Sequence, residues 1–176
     1  KNKISFSKQK LVPILKYNEE IVNDSWNIFV WLNDKIKEIK LIPNEQTRIF
    51  SYFLYFWTSK TLLPIIFKLI ANDIPKILDK EDKEYFIKTR EDRIQKSLKS
   101  LLNNKEQTKK KLFESLITFE KIFSKNKFLY GKNPGLPDYI FFGNFMWAEK
   151  CNSENLFENL PNIQKWYLNI KKINRL

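Results

Sequence analysis

The chain has 176 residues, of which 43% are hydrophobic and 15% aromatic, so it can build a core and is not a disordered chain. A formal charge of +12 results from 32 Lys and Arg against 20 Asp and Glu, which favours anionic partners. Only three glycines argue against a turn-rich all-β fold and a glycine-rich phosphate loop, so we expect helices.

The positive charge has two interpretations. Acidic and basic residues are interspersed, as in "DKEDKEYFIKTREDR", which is typical of a solvated helix surface with spaced ion pairs. Alternatively, the charge attracts RNA, anionic lipid or an acidic protein partner. The sequence carries no RNA-binding signature, so the charge by itself selects neither interpretation.

The reactive side chains are few, because the sequence has one cysteine and no histidine. A single Cys151 forms no disulfide within the chain, which fits an intracellular compartment, either cytoplasmic or mitochondrial. We expect an inert buried thiol, and the lack of a Cys/His cluster predicts no metal site. No run approaches 18 uninterrupted apolar residues, so the sequence predicts no membrane span.

Residues 10–34 predict a strand, a turn, a second strand and a helix. "KLVPILK" and "EIVN" are short and contain β-branched residues, and "KYNEE" between them fits a hairpin loop. Pro13 inside the first run favours a position at a sheet edge. Asp24 or Ser25 can cap the helix of "DSWNIFVWL". We assign residues 37–44 to a linker.

The rest of the chain has helical periodicity. "NEQTRIFSYFLYFWTSKTLLPIIFKLI" predicts a long aromatic helix that bends at Pro64, and Asp79 begins the next helix. The apolar positions of that next helix are Tyr85, Phe86, Ile94 and Leu98. "KEQTKKKLFESLITFEKIFSK" is amphipathic, with Leu112, Leu116, Phe119 and Phe123 on one face. "LPDYIFFGNFMWAEK" is apolar on nearly every side and must be enclosed by other helices, and "LPNIQKWYLNIKK" begins a last helix near Pro161.

One long motif indicates a family. "FLYGKNPGLPDYIFFGNFMWA" resembles the "F-L-x-G-x-x-P-S-x-A-D-Y" core segment of the glutathione transferase superfamily, in which a Ser-x-x-Asp capping box begins a buried helix. Asp138 matches the family carboxylate, and we expect it to be a structural cap that accepts hydrogen bonds from unpaired N–H groups. Gly135 stands at the serine position, and glycine is also an acceptable N-cap.

The opening stretch resembles the thioredoxin-like domain of the same family, whose third strand starts with a Val-cis-Pro pair. Val12-Pro13 and Asp24-Ser25 match at the family's separation. The resemblance implies that glutathione, the co-substrate, pairs with the backbone before Pro13. It also implies that the γ-glutamyl carboxylate docks on Ser25 and free N–H groups, that Asp24 holds the α-amino group and that Lys10 reaches the glycyl carboxylate. The residues alone leave open the alternative that Ser25 only caps a helix and Pro13 only shapes a strand.

The resemblance also predicts the architecture. It implies a mainly α fold, in which an all-α C-terminal domain over residues 45–176 follows a partial thioredoxin-like α/β domain over residues 1–36. That partial domain holds only the family's third strand, fourth strand and third helix. The pattern "P-x-x-L-D-x-x-D-x-x-Y-F-x-x-T-R-E", from Pro75 to Glu91, resembles the bacterial and fungal branch related to the lignin β-etherases.

The family's first strand, first helix and second strand do not occur in this sequence. Their first turn carries the Ser, Cys or Tyr that activates the glutathione thiol, so the catalytic residue is unknown here. The open strand edge predicts a protein partner or a second copy that covers it. Tyr52, Tyr55 and Phe56 are candidates for a hydrophobic substrate pocket, although the same aromatics would suit a core or a dimer interface.

Two functions remain open at this stage. The first is a glutathione transferase that conjugates hydrophobic electrophiles or transfers glutathione to them, provided that the missing N-terminal segment is supplied. The second is a catalytically silent scaffold subunit of a larger assembly, such as a mitochondrial ribonucleoprotein or a respiratory complex. Fold alone does not choose between them, because one fold hosts many functions.

Overall fold

The computed structural model describes residues 2–9, 11–36, 41–151 and 155–174. The fold is mainly helical with a two-stranded sheet, which confirms the predicted fold class. The strands are β1 (Ile14–Tyr17) and β2 (Glu20–Asn23), and the helices are α1 (Ser25–Lys35), α2 (Glu45–Trp57), α3 (Leu63–Ile70), α4 (Ile74–Ile77), α5 (Lys80–Ile94), α6 (Lys105–Phe123), α7 (Leu136–Lys150) and α8 (Pro161–Asn174). Two 3-10 helices, Asn2–Ser7 and Leu98–Asn104, and a π-helical segment, Thr58–Leu62, complete the described elements.

The predicted hairpin is present, with a tighter turn than "KYNEE" suggests. β1 and β2 are antiparallel, and the register runs from Ile14 opposite Asn23 to Tyr17 opposite Glu20. Only two residues therefore form the loop, and Asn18 adopts a φ of 51°, a conformation that asparagine accepts readily. The first strand starts after Pro13, because proline has no N–H to donate to a ladder.

The predicted aromatic helix runs from Glu45 to Ile70 and widens before Pro64. The N–H of Leu63 donates to the carbonyl of Thr58, five residues earlier, because a proline cannot continue the regular α-helical pattern. By length and composition alone this run could cross a membrane, a criterion that core helices of globular proteins also meet. Its inner positions, including the fully buried Leu54, pack in the core of the bundle.

Helix α5 begins as predicted but ends earlier. The Asp79 side chain accepts a hydrogen bond from the N–H of Asp82, and the helix stops where Gln95 takes a left-handed φ of 54°. Leu98 was expected on this helix and lies instead in the following 3-10 helix, where it is buried. Its N–H donates to Glu91 Oε1 at 2.8 Å, which fastens the 3-10 helix to α5.

Helix α7 forms the centre of the bundle, which confirms the expectation that other helices enclose it. Most of its residues are buried, and the Phe141 ring lies 4.4 Å from Phe119 of α6 and 5.1 Å from Trp166 of α8, between ring centroids. Leu112 and Leu116 on the apolar face of α6 are also buried. This aromatic core holds α2, α6 and α8 in fixed positions around α7.

Candidate functional site

Asp24 caps the N-terminus of α1 with one of its two carboxylate oxygens. Its Oδ1 accepts hydrogen bonds from the N–H groups of Trp26 at 2.9 Å and Asn27 at 3.3 Å. These two N–H groups are therefore already hydrogen-bonded to Asp24. Of the free N–H groups that we expected at the start of α1, that of Ser25 is the one left for a ligand. The backbone of Asp24 has a φ of 70°, outside the ordinary regions of an L-residue, which turns the chain from β2 into α1.

Tyr55 of α2 reaches the other oxygen of Asp24. The Tyr55 hydroxyl donates to Asp24 Oδ2 at 3.4 Å. Partial burial, together with the neighbouring Asp24 carboxylate, raises the pKa of the Tyr55 phenol, so the phenol stays neutral at physiological pH. No local pattern predicts that α2 contacts Asp24, because Tyr55 and Asp24 are 31 positions apart.

An aromatic corner joins α1 to α2, formed by Trp26, Tyr52, Tyr55 and Phe56. The Trp26 ring centroid lies 4.7 Å from that of Tyr52 and 6.0 Å from that of Tyr55. Phe56 packs edge-on against both tyrosines, at 4.8 and 5.5 Å. Tyr52 and Phe56 are 46% and 44% exposed, so the corner presents rings to solvent beside Asp24 and is not closed core. Trp26 is the one member of this group that α1 contributes.

Val12 and Pro13 precede β1 at the open side of the hairpin. The peptide bond between them is cis, the isomer that the resemblance implies, and the Val12 side chain is 71% exposed. Neither residue belongs to the β1–β2 ladder, which starts at Ile14. No other strand pairs with β1 in the part of the chain that the structure describes, so its outer edge is unpaired there.

Asp138 lies at the start of α7 and accepts four hydrogen bonds while fully buried. Its Oδ1 accepts from the N–H of Leu129 at 2.7 Å and from Nε1 of Trp166 at 2.9 Å. Its Oδ2 accepts from the N–H groups of Gly135 at 3.0 Å and Tyr130 at 3.1 Å. Burial raises the pKa of this carboxyl, and the four donors counteract the rise. The residue thus ties the preceding loop and α8 to the start of α7, beyond the cap that the spacing predicts.

The glycine at position 135 has a steric reason. A Cβ built at Gly135 would lie 2.7 Å from Cγ and 2.8 Å from Cβ of Tyr130, closer than real Cβ contacts. The serine of the family motif therefore does not fit here while the Tyr130 ring keeps this position. Asp138 alone supplies the side-chain half of the capping box, through the Gly135 N–H.

The helical part of the chain matches a family profile. The profile of the family described as "Glutathione S-transferase, C-terminal domain" matches residues 50–167, which is more than half of the sequence. The chain belongs to the glutathione S-transferase family. The match includes Tyr52, Tyr55, Phe56 and Asp138, whereas Val12-Pro13 and Asp24-Ser25 precede it.

Solved glutathione transferases share the fold. The transferase GSTFuA3 of Phanerochaete chrysosporium superposes with a TM-score of 0.64 at 23% identity, over 81% of this chain and 59% of that one. A delta-class transferase of Nilaparvata lugens gives 0.63 at 20% identity, over 97% and 69%. A variant of poplar transferase F1 gives 0.64 at 16% identity, over 96% and 71%. A search of curated proteins gave no significant match. The chain spans 59% of the length of the fungal enzyme, so it corresponds to a part of that protein.

Two further residues of this transferase-family chain, one polar and one reactive, are buried. Glu120 of α6 accepts hydrogen bonds from the first turn of α8, a contact across 42 positions that no local sequence pattern predicts. Cys151 is buried as predicted, and burial, followed by the charge of Asp73, raises the pKa of its thiol. Lys10 lies outside the described residues.

Proposed function

We propose that this chain contributes the γ-glutamyl-binding corner and the hydrophobic substrate wall of a glutathione transferase. The observation that carries the proposal is the hydrogen bond from the Tyr55 hydroxyl to Asp24, the residue directly before Ser25. It joins the Asp-Ser pair to the aromatic corner, so the two predicted halves of the site form one continuous surface. Catalysis additionally needs a thiol-activating Ser, Cys or Tyr, which we expect from a segment outside these 176 residues.

Each residue has a role in this proposal. The Ser25 N–H and hydroxyl donate to the γ-glutamyl carboxylate at the start of α1, where the helix dipole also favours an anion. Asp24 keeps Oδ1 on the helix cap and offers Oδ2 to the α-amino group. The backbone of Val12 pairs with the extended tripeptide before Pro13. Tyr52 and Phe56, both partly exposed, contact the apolar part of the electrophile.

Ser25→Ala tests the binding step directly. We expect glutathione affinity to fall about 10- to 100-fold, since a hydrogen bond to a charged group is worth about 1.5–3 kcal/mol. Isothermal titration of glutathione into the full-length protein measures the change. Ser115→Ala is the matched control, because that hydroxyl donates only to the Lys111 carbonyl of its own helix. Equal affinities of the two variants would exclude Ser25 from the site.

The proposal also covers organisation and location. We assign residues 1–36 to a partial thioredoxin-like glutathione-binding domain, residues 37–44 to a linker and residues 45–176 to the helical domain. We also propose kinship with the lignin β-etherase branch, because the Pro75–Glu91 pattern resembles that branch. An intracellular location, cytoplasmic or mitochondrial, is consistent with the single buried cysteine.

The outer face of α2 supports a protein partner. Ile49, Phe50 and Phe53 are 62%, 37% and 59% exposed and lie on adjacent positions of the helix surface. Apolar side chains of this size, grouped on one helix, are typical of an interface. We propose that a second copy of the chain covers them. The same face favours the scaffold function as a second candidate, in which a different protein takes that place.

Phe53→Glu tests this interface. We expect the dissociation constant of the dimer to rise about 30-fold or more, because a charge that is buried without a partner costs about 2 kcal/mol or more. Sedimentation equilibrium over a range of protein concentrations measures the dissociation constant. Leu168→Glu on α8 is the control, since its side chain is 55% exposed and lies on another helix. A wild-type chain that stays monomeric and binds no glutathione would instead favour the scaffold.

A further inference from the structure

More than half of the excess positive charge lies in two short segments of the helical region. Residues 121–132, at the end of α6 and in the loop after it, contain four lysines, and residues 161–172 of α8 contain three. Neither segment contains an Asp or a Glu, so together they carry +7 of the formal +12. On α5, by contrast, lysines alternate with acidic residues. The excess charge is therefore concentrated where these two segments lie.

The two segments face each other across a cleft of about 450 Å³. Lys125 and Lys127 line this cleft from the loop after α6, and Lys165 lines it from α8. All three lysines are exposed. No Asp or Glu lines the cleft in the part of the chain that the structure describes. We call it the lysine–asparagine cleft.

The three lysines have no counter-charge beside them. Within the described ranges, none of them has a carboxylate at ion-pair distance. Glu120, the acidic residue that precedes this stretch of α6, is buried, and its two oxygens accept hydrogen bonds from the first turn of α8. Its charge therefore stabilises the start of α8 and does not pair with the lysines. The cleft attracts anions from solvent for this reason.

The uncharged polar lining of the cleft suits a sugar–phosphate backbone. It consists of one hydroxyl and three amides, on Ser124, Asn126, Asn162 and Asn169. Lysine, asparagine and serine side chains are among the usual contacts of proteins to phosphate and sugar oxygens. The side-chain amide of Asn169 makes no hydrogen bond to the described residues, so its donors and its acceptor are available to a ligand.

The aromatic rings at the base of the cleft are not available to bases. Phe123 and Trp166 line the cleft, but they are only 7% and 1% exposed. Their rings stack on each other at 4.8 Å between centroids. Proteins that hold single-stranded bases present exposed rings for stacking, which this cleft does not offer. The lining therefore favours contacts to the backbone of a nucleic acid and not to its bases.

We propose that the lysine–asparagine cleft binds the sugar–phosphate backbone of a nucleic acid without reading its sequence. A bilayer surface is flat on this scale and cannot enter a cleft, whereas a phosphodiester strand can. An acidic protein partner would need an exposed apolar centre for a stable interface, and the apolar rings here are buried. The cleft shares no residue with the glutathione corner, so it stands whether or not the proposed function is correct.

A fluorescein-labelled RNA duplex of about 16 base pairs is a suitable probe, because a duplex presents its backbone and hides its bases. We expect fluorescence anisotropy with the full-length protein to give a dissociation constant of about 1–100 µM at physiological salt, the usual range of sequence-independent binding. The matching DNA duplex should bind within about 5-fold of the RNA, since both present phosphates. A duplex of different base sequence should bind equally well.

The decisive comparison uses two triple variants with the same net charge. Lys125→Gln, Lys127→Gln and Lys165→Gln together should weaken binding at least about 10-fold and reduce the slope of log affinity against log salt by about 2–3. The control triple is Lys80→Gln, Lys83→Gln and Lys88→Gln on α5, where exposed lysines alternate with acidic residues. It should keep most of the affinity and the slope.

A single substitution tests the cleft without removing a lysine. Asn169→Asp places a carboxylate in the cleft and should weaken binding about 5-fold or more, because it repels the phosphates. Circular dichroism with thermal denaturation should show that this variant keeps the fold of the wild type. Wild-type affinity in a folded Asn169→Asp variant would contradict the assignment.

Four other results would overturn it. They are no anisotropy change at protein concentrations of about 100 µM, equal losses in the two lysine triples, a strong preference for one base sequence, and displacement of the RNA by poly-L-glutamate as effective as by unlabelled RNA. The last result would assign the cleft to an acidic protein. Saturating glutathione and Ser25→Ala should both leave RNA affinity unchanged, so the cleft and the glutathione corner succeed or fail independently.

Discussion

Asp138→Asn is expected to lower the free energy of unfolding by about 2–5 kcal/mol, although it changes a single atom. The carboxylate accepts two hydrogen bonds on each oxygen, from Leu129 and Trp166 on Oδ1 and from Tyr130 and Gly135 on Oδ2. An amide group has only one oxygen, so either orientation of asparagine points its NH₂ at two donors. Those two buried donors then lose their acceptor, and each unsatisfied group costs about 1–3 kcal/mol.

Urea denaturation, followed by circular dichroism, measures this difference. Asp79→Asn is the matched control, because Asp79 is also an N-cap, and asparagine caps about as well as aspartate. We expect the control to stay within about 0.5 kcal/mol of the wild type. If Asp138→Asn were as mild as the control, the four-donor arrangement would contribute nothing to stability.

The consequences of losing Asp138 extend into the core through Trp166. That indole donates to Asp138 and stacks on Phe123 at 4.8 Å between ring centroids, with its side chain 1% exposed. Phe141, the central ring of α7, lies 5.1 Å from the same indole. A shift of Trp166 therefore disturbs the packing that positions α7 against α6. Through this packing, the shift also displaces the helices that carry the candidate site.

Features that depend on neighbours in sequence were predictable. The helix starts at Asp24, Asp79 and Gly135 follow from capping chemistry, because an N-cap and its N–H partners lie within three or four positions. The amphipathic α6 and the enclosed α7 follow from apolar spacing for the same reason. The family resemblance added the fold class, which the family profile and the shared fold confirm.

Contacts between distant residues were not predictable. Tyr55 was proposed for a substrate pocket, and nothing in its surroundings indicates that its hydroxyl reaches Asp24 across 31 positions. The sequence shows glycine where the family motif has serine at position 135. The steric cause is the Tyr130 ring, and the direction of that ring depends on the conformation of the loop. Leu98 lies outside α5 because Gln95 ends that helix in a left-handed backbone conformation, which is unusual for glutamine. The periodicity of apolar residues describes one helix or strand at a time, and it contains no information on contacts between different elements.

Glu120→Gln is the second substitution with a large expected effect. Glu120 Oε1 accepts hydrogen bonds from the backbone N–H and the side-chain amide of Asn162, and Oε2 accepts from the N–H of Ile163. Helix α8 begins after Leu160, which has no side-chain acceptor for the N–H groups of the first turn. Glu120 therefore caps α8 from α6, and its negative charge lies at the positive end of the α8 dipole.

We expect Glu120→Gln to lower the free energy of unfolding by about 1–3 kcal/mol, because its NH₂ faces at least one backbone donor and the charge is lost. The same urea titration measures it, and Glu114→Gln, an exposed position on the same helix, controls for helix propensity and net charge. Equal midpoints for the two variants would contradict the cap. Since α8 also carries Trp166, the donor to Asp138, both buried carboxylates fasten one helix to the bundle. The double variant should therefore lose less than the sum of the single losses, because a helix already loosened at its start holds its indole less firmly against Asp138.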